Sequence, residues 1–168
     1  MRTNRTHPAL LLAGFLAALL STGCGPFLVF PGGRLRGTLD PGEIVDWRQT
    51  HDVEFVQIET RPNDPYSVQV YGVGSERGFY IASQGWRGMM GSTDRARWVE
   101  HLAEDPRLRL RIGRMIYPLS ATRIEAASEI EFVRALFREK YGEAAEDWGF
   151  WRDDPGLHEF FVYRLEPR

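Results

Sequence analysis

The sequence predicts a mainly β fold of the α+β class, in which six to seven antiparallel strands close, or nearly close, into a barrel flanked by two helices. Strand-like runs follow one another along the chain and are separated by short turns. Leu108, Leu110 and Ile112 alternate strictly with arginines, which indicates a strand with one buried and one charged face. Only two segments show helical periodicity. A length of 168 residues suits one such domain.

Composition excludes several classes of protein. Hydrophobic residues make up 43% of the chain and aromatic residues 12%, which excludes a disordered polymer. The formal net charge of −2 argues against a nucleic-acid-binding protein, which would normally be clearly basic. The chain contains one cysteine, so a disulfide framework and a cysteine-rich metal site are both excluded.

The N-terminus has the layout of a bacterial lipoprotein signal. Arg2 and Arg5 form a basic start, residues 9–20 are an uncharged apolar run, and Ser21 begins a stretch of small residues that ends at Cys24. The apolar run is too short for a transmembrane helix. We therefore predict a signal peptide over residues 1–23, a lipidated tether over 24–34 and the folded domain over 35–168. Ordinary secretion with a free cysteine is the alternative, because Ser21 stands where such signals usually carry a leucine-like residue.

Acylation of Cys24 would anchor the chain stably in a lipid bilayer, since several acyl chains bury far more CH₂ groups than one. Gly25 follows the cysteine where inner-membrane lipoproteins carry aspartate, and this resemblance favours the outer membrane, facing the periplasm. Loss of Arg2 and Arg5 leaves 19 basic against 23 acidic residues, a net charge of −4, so the folded part is not expected to adhere to an anionic leaflet.

Strands are expected in seven segments, which in chain order are 35–39, 53–60, 66–73, 79–83, 107–112, 115–123 and 158–165. The segment Arg61–Pro65 interrupts two of them, because its two prolines cannot sit in a central ladder. Residues 74–78 and the pair Gly113-Arg114 are predicted hairpin turns. The arginines at 107, 109 and 111 are interpreted first as a solvent-exposed face.

Two helices are predicted between these strands. The first begins at Ser92 or Thr93, either of which can cap it, and ends at Asp105 before a proline. Its apolar stripe comprises Trp98, Val99 and Leu102. The second helix lies between about Glu125 and Tyr141, and Gly142 stops it. Its apolar face comprises Ile130, Val133, Leu136, Phe137 and Tyr141. Two capping boxes compete for its start, Thr122 with Glu125 and Ser128 with Glu131.

The order of these motifs resembles the FMN-binding split barrels, the superfamily that includes pyridoxamine-phosphate-oxidase-like proteins and deazaflavin-dependent nitroreductases. The match is carried by Tyr80–Gly85, by Arg97–Leu102 with its Trp98, and by Leu108–Gly113 after Asp105-Pro106. It covers about residues 53–124, with a weaker echo at 161–168. No single motif is diagnostic, and the specificity comes from order and spacing.

The resemblance implies a split β-barrel that forms a homodimer and holds FMN or a deazaflavin in the groove between protomers. By the same resemblance, Ser83, Gln84 and Gly85 would hold the cofactor phosphate. Arg95 and Arg97 would assist, and Trp98 would support the pocket wall. The cofactor would pass hydride to or from a small aromatic or quinone-like substrate. No catalytic residue is indicated.

The residues themselves favour an anion in the middle of the chain. Residues 77–123 contain nine arginines against four acids. The predicted loop Gly85–Ser92 carries three glycines and leads into a helix N-terminus, where free N–H groups and the helix dipole attract phosphate. Gly-rich loops also precede helices without binding any ligand, so this alternative stays open.

One departure argues for a protein without a cofactor. Deazaflavin-using relatives carry a Gly-Arg-x-Ser-Gly loop where this chain has Arg61–Ser67, which keeps the arginine and loses the glycines. The alternative function is therefore a cofactor-free binding or structural module of the cell envelope. His51, His101 and His158 lack metal-ligand spacing and are interpreted as surface histidines. The aromatic cluster Trp148, Phe150 and Trp151 is interpreted as packing across a barrel end or as a lid over a cofactor ring.

Overall fold

The structure is a computed structural model that describes residues 31–40, 46–87, 93–94, 96–142 and 158–168. The predicted signal peptide, Cys24, Arg95 and the aromatic cluster at 148–151 lie outside the described residues. In the described part, no helix is both long and apolar enough to cross a membrane.

The described residues form nine strands and two α-helices. The strands are β1 (Thr38–Leu39), β2 (Val56–Thr60), β3 (Tyr66–Val70), β4 (Gly72–Ser75), β5 (Gly78–Arg87), β6 (Thr93–Asp94), β7 (Arg107–Ile112), β8 (Met115–Ile124) and β9 (His158–Pro167). The helices are α1 (Arg97–Glu104) and α2 (Ala127–Tyr141), and a short 3-10 helix spans Trp47–Thr50. The predicted mainly β class with two helices is confirmed.

Seven strands form one continuous path in the order β3-β2-β7-β8-β9-β5-β4, and every pair along it is antiparallel. The two ends of the path, β3 and β4, are consecutive in the chain and are separated by Tyr71 alone. A bend at Tyr71 therefore brings both edges of the sheet together and curls it into a barrel. The Tyr71 ring packs against the rings of Phe55 and Tyr141, at centroid distances of 4.7 and 5.4 Å.

The prediction of a single strand over 66–73 is therefore wrong, because the chain bends at Tyr71 and forms two strands there. The cause is a change of partner, because β3 pairs with β2 whereas β4 pairs with β5. The all-antiparallel expectation also needs one correction, since β1 runs parallel to β8 through Thr38 and Leu39. Chain topology decides both points, and local sequence carries no signal for either.

The main hydrophobic cluster fills the barrel, and a tryptophan lies at each end of it. Trp98 of α1 and Trp47 of the 3-10 helix are both 5% exposed and both belong to this cluster. Trp98 packs on Tyr163 with ring centroids 5.8 Å apart, and Trp47 packs on Phe79 at 5.3 Å. The predicted α1 stripe of Trp98, Val99 and Leu102 is confirmed as buried.

A second cluster joins α2 to the outer face of the barrel. Val133 and Phe137 of α2 are fully buried against Tyr80 of β5 and Val162 of β9, and Ile130, Leu136 and Tyr141 are partly buried beside them. The face predicted for this helix is therefore confirmed. Gly142 ends it with φ of +55°, a conformation that glycine adopts readily.

The predicted helix starts are wrong in detail. Helix α1 begins at Arg97 rather than at Ser92 or Thr93, because Thr93 and Asp94 pair with Trp86 and Arg87 in a strand ladder. Helix α2 follows Ala126, whose side chain cannot cap, so neither expected capping box sets its start.

The arginine row of β7 is only partly a solvent face. Leu108 and Leu110 are buried as predicted, and Arg107 is exposed and paired with Asp105. Arg109 instead donates to both carboxylate oxygens of Glu59 at 3.0 and 3.1 Å. Glu59 is 2% exposed and also accepts a hydrogen bond from the Leu35 amide. This hydrogen bond fastens the N-terminal segment to the barrel.

Lys140, the one lysine of the chain, ties α2 to the bend of the barrel. Its Nζ donates to the carbonyl oxygens of Val53 at 2.7 Å and Gly72 at 2.8 Å, and more weakly to that of Thr50 at 3.4 Å. Burial lowers the pKa of Lys140 to about 8, against a smaller opposing effect from Asp52.

This shift predicts a rise of stability with pH. Between about pH 8 and the usual lysine pKa of 10.5, the unfolded chain keeps a proton on Lys140 that the folded chain has lost. The free energy of unfolding should therefore increase from pH 8 to 10, by about 1 kcal/mol after solvent screening. Urea unfolding across this range measures it, and Lys140→Met should remove the increase. If the free energy of unfolding of Lys140→Met rises with pH as steeply as that of the wild type, the increase does not come from Lys140.

Candidate functional site

The predicted site elements meet at one end of the barrel, called here the α1 end. It is formed by the C-terminal halves of β5 and β8, the N-terminal half of β9, and α1. Ala121 of β8 donates to the carbonyl of Pro106 just after α1, and Trp98 of α1 contacts Tyr163 of β9. The antiparallel order places these strand ends together.

Ser83, Gln84 and Gly85 lie within β5 and pair with Phe161, Phe160 and Glu159 of β9. Ser83 is a strand residue as predicted, but the strand continues to Arg87, so the prediction that a loop begins at Gly85 is wrong. Ser83 follows Phe79 and Ile81 at two-residue spacing, which puts it on the interior side of the sheet, where it is half-buried. Their assignment to a cofactor phosphate stays a prediction.

The opposite edge of β5 is open beside these residues. Strand β4 pairs only with Gly78–Ile81, and β6 pairs only with Trp86 and Arg87. Among the described strands, residues 82–85 therefore have β9 as their one neighbour. Backbone N–H and C=O groups on the other side of this stretch have no ladder partner there, and such groups bind ligands readily.

Arg123 is a site residue that the sequence analysis did not single out. It pairs with Tyr163 in the β8–β9 ladder, and its guanidinium lies 4.6 Å from the centre of the Phe161 ring. Phe161 is in turn the partner of Ser83. A cation, an aromatic ring and a hydroxyl thus lie on adjacent strands. The signal available in the sequence was the position of Arg123 near the end of a strand within the arginine-rich segment.

Arg97 and Trp98 have different surroundings although they are adjacent. Arg97 is exposed at the first position of α1, whose Ala96 cap offers no side-chain acceptor to the first amides. Trp98 is buried in the barrel core. A ligand at this end would therefore meet the edge of the packed Trp98 and could not enter the barrel. The loop residues 88–92 and Arg95 lie outside the described residues.

The pKa of His101, one turn after Arg97, depends on the charges at the α1 end. Its Nδ1 lies 2.9 Å from Thr60 Oγ1, and its ring contacts Tyr66 edge-on. Burial lowers the pKa of His101, and the positive charge of Arg61 lowers it further. Glu104 and Glu100 raise this pKa, and Arg97 has the smallest effect, which lowers it. Both arginines therefore lie close enough for an anion bound to them to be felt at this imidazole.

The loop that replaces the deazaflavin motif is folded on itself. Arg61–Pro65 connects β2 to β3, and Arg61 adopts a φ of +55°. The Arg61 side chain binds Asp64 within the same loop, donating to its carbonyl at 3.0 Å and forming an ion pair with its carboxylate. Arg34 donates to the carbonyl of Pro62 at 3.1 Å. The retained arginine thus stabilises its own turn.

The described residues contain no group of three His, Cys, Asp or Glu side chains that could hold a metal ion. The side chain of His158 is not among those described. His51 is exposed, and His101 is hydrogen-bonded as stated above. These two agree with the interpretation of the histidines as surface residues.

Comparison with solved structures identifies the fold. The fold is similar to that of HutZ, the heme storage protein from Vibrio cholerae, with a TM-score of 0.50 and 18% identity over 73% of this chain and 85% of HutZ. It is similar to Campylobacter jejuni ChuZ, with a TM-score of 0.51 and 13% identity over 71% of this chain and 50% of ChuZ. An F420-H2-dependent reductase gives a TM-score of 0.46 and 19% identity over 67% of this chain and 95% of the reductase.

Neither models of protein families nor curated proteins give a match to this sequence. The fold assignment therefore comes from structure, and it agrees with the order of motifs read from the sequence. The chain has a split-barrel fold, as the sequence predicted.

Proposed function

We propose that this chain is a lipid-anchored envelope protein whose split barrel binds a phosphate-bearing flavin-type cofactor, FMN or a deazaflavin, at the α1 end. The observation that carries the proposal is the edge of β5 at residues 82–85, which has no strand partner among the described residues, beside the row formed by Ser83, Phe161 and Arg123. This row offers a hydroxyl donor and a guanidinium, which are groups that bind a phosphate. Phe161 is 1% exposed in the barrel core, and its ring supports the guanidinium of Arg123.

The residues present fit the phosphate end of such a cofactor. Ser83 and the free strand edge would donate hydrogen bonds to the phosphate, and Arg123 and Arg97 would supply positive charge. The first amides of α1 favour an anion in the same region. Trp98 and Tyr163 fill the barrel end, so the ring system would lie outside the barrel, in a groove that a second protomer would close. When bound, the cofactor would supply hydride transfer, with a small aromatic or quinone-like compound as substrate.

Anchoring is the second part of the proposal. A diacylated Cys24 would hold the protein at the outer membrane, facing the periplasm. Segment 32–40 is already fastened to the barrel through Gly32, which exchanges backbone hydrogen bonds with Ser67. The barrel would therefore remain within about eight residues, roughly 25 Å, of the lipid surface.

Replacing Cys24 by alanine should move the protein from the membrane fraction to the soluble periplasmic fraction. Retention in the membrane fraction would contradict acylation at this residue.

A cofactor-free module of the cell envelope is the second candidate, and the Arg61–Pro65 loop favours it. In deazaflavin-using relatives the corresponding loop wraps the cofactor, whereas here Arg61 is held by Asp64. Under this alternative the split-barrel fold persists without its redox chemistry.

Cofactor titration distinguishes the two candidates. We expect the full chain, purified in detergent, to quench FMN or F420 fluorescence at micromolar concentration. Arg123→Gln should weaken binding about tenfold or more, since a charge-assisted hydrogen bond contributes roughly 1.5–3 kcal/mol. Arg114→Gln removes an exposed arginine from the β7–β8 turn at the opposite end of the barrel and serves as the matched control.

His101 provides a second readout of the same event. An anion held near Arg97 should raise the pKa of His101, because it offsets the arginine charges that depress it. NMR titration of the imidazole with and without cofactor measures this change. Absence of quenching by both cofactors, with an unmoved His101 pKa, would leave the cofactor-free module as the function.

A further inference from the structure

A cleft of about 500 Å³ lies at the barrel end opposite α1, between the 3-10 helix, the β4–β5 turn and α2. Its volume falls within the roughly 300–1,000 Å³ of small-molecule sites in proteins. It lies beside Gly78 at the start of β5, whereas the proposed cofactor site lies in the second half of that strand. The two sites are therefore separate.

One wall of the cleft is apolar and belongs to α2. Phe132 and Leu136 are one helical turn apart, and Glu139 follows on the same face. Phe132 and Leu136 are only half-buried, and both line the cleft in addition to packing on the second hydrophobic cluster. An apolar ligand that contacted them would remove their remaining surface from water, which is favourable.

Two cations with different partners also line the cleft. Arg48 is held by both carboxylate oxygens of Asp46, at 2.6 to 3.0 Å, and by Glu76 at 3.1 Å, so its charge is neutralised. Arg77 has no carboxylate partner among the described residues. Its guanidinium lies 4.4 Å from the centre of the Phe132 ring, directly against the apolar wall.

The remaining charges restrict the ligand to a single negative charge. His51 lines the cleft and can add a second hydrogen bond, but Glu76 and Glu139 also line it. Because Glu76 is paired with Arg48, Arg77 and Glu139 set the charge balance of the cleft. A monoanion would be compensated by Arg77, whereas the second charge of a phosphate monoester would face Glu139. The planar guanidinium of Arg77 matches a carboxylate in a two-bond arrangement.

We propose that this cleft is a binding site for a small amphipathic monocarboxylate, with its carboxylate on Arg77 and its apolar body against Phe132 and Leu136. The site is independent of the flavin-type cofactor. Failure of either proposal therefore leaves the other intact, and each has its own probe.

The test uses 4-phenylbutyrate as the probe, followed by saturation-transfer NMR on the full chain in detergent. Arg77→Gln should weaken binding at least tenfold. Arg114→Gln is the matched control, because Arg77 and Arg114 each occupy the second position of a two-residue hairpin turn, Glu76-Arg77 and Gly113-Arg114. The control should bind as the wild type does, and partition of the probe into detergent is the same for all variants.

Two further comparisons separate the site from general hydrophobic binding. The neutral 4-phenylbutanol and the dianionic phenyl phosphate should each bind at least tenfold more weakly than the carboxylate. Leu136→Glu, which adds a carboxylate to the apolar wall, should abolish binding while thermal unfolding confirms a folded chain. Equal binding of the acid and the alcohol, equal binding by wild type and Arg77→Gln, or no binding at millimolar probe would each overturn the proposal.

Discussion

Replacing Arg109 by methionine should lower the free energy of unfolding by about 3–5 kcal/mol. Methionine keeps the apolar stem of the side chain but removes the guanidinium that donates to both oxygens of Glu59. Glu59 is 2% exposed, so its carboxylate would be left buried beside Arg34, which is 3.8 Å away and 60% exposed. An uncompensated charge in that environment is costly because water cannot solvate it.

Urea unfolding of Arg109→Met and Arg107→Met tests this expectation. Arg107 lies two residues earlier on the same strand and pairs with Asp105 at the surface. Its loss should change the free energy of unfolding far less than the loss of Arg109, because exposed ion pairs contribute little to stability. The pKa of Asp105, lowered to about 2 by hydrogen bonds from Arg107, should return toward its usual value in that variant. Similar losses in both variants would show that Glu59 does not depend on Arg109.

Replacing Gly74 by alanine should destabilise the barrel by about 3 kcal/mol. A Cβ atom at Gly74 would collide with the backbone carbonyl of Trp47, and the side chain of Thr50 is also in the way. Backbone cannot swing aside as a long side chain can, so β4 and the 3-10 helix would have to separate. Because Trp47 fills that end of the barrel, the disturbance would reach the core.

Gly33→Ala is the matched control for this substitution. No atom lies within 4 Å of a Cβ placed at Gly33, and its backbone is not in the left-handed region. The free energy of unfolding of Gly33→Ala should stay within about 1 kcal/mol of that of the wild type. Thermal unfolding of both variants, monitored by near-ultraviolet circular dichroism of the tryptophans, measures the difference. A Gly74→Ala protein as stable as the control would mean that β4 and the 3-10 helix are not in close contact.

The local pattern of the chain was sufficient to predict most elements. The alternation of Leu108, Leu110 and Ile112 with arginines identified β7 and its buried face, and the stripe of Val133 and Phe137 identified the inner face of α2. Strand and helix periodicities are properties of neighbouring residues, which is why a single sequence shows them. The starts of α1 at Arg97 and of α2 at Ala127 were not predictable. For α1, the pairing of Thr93 with Arg87 across the sheet outweighed the capping preference of Thr93.

The candidate site was predictable only in part. The order of motifs placed the end of β5 and Trp98 in one region, and the structure brings both to the α1 end. The contribution of Arg123 depends on the β8–β9 register, which joins residues about 40 positions apart. The cleft at Arg77 depends on three elements that are distant in the chain, and no motif marks it.

Sequence alone therefore determined the class of fold, the faces of its main helices and strands, and the expectation of an anion near its arginine-rich middle. Tertiary structure alone decided which charges are buried and which are free to bind. Glu59 and Arg109 are 50 positions apart, and Lys140 reaches carbonyls 68 to 90 positions away. The β2–β7 register places Arg109 beside Glu59, and the packing of α2 near the bend at Tyr71 places Lys140 beside its carbonyls. A charge loses or keeps its water according to what the fold places beside it.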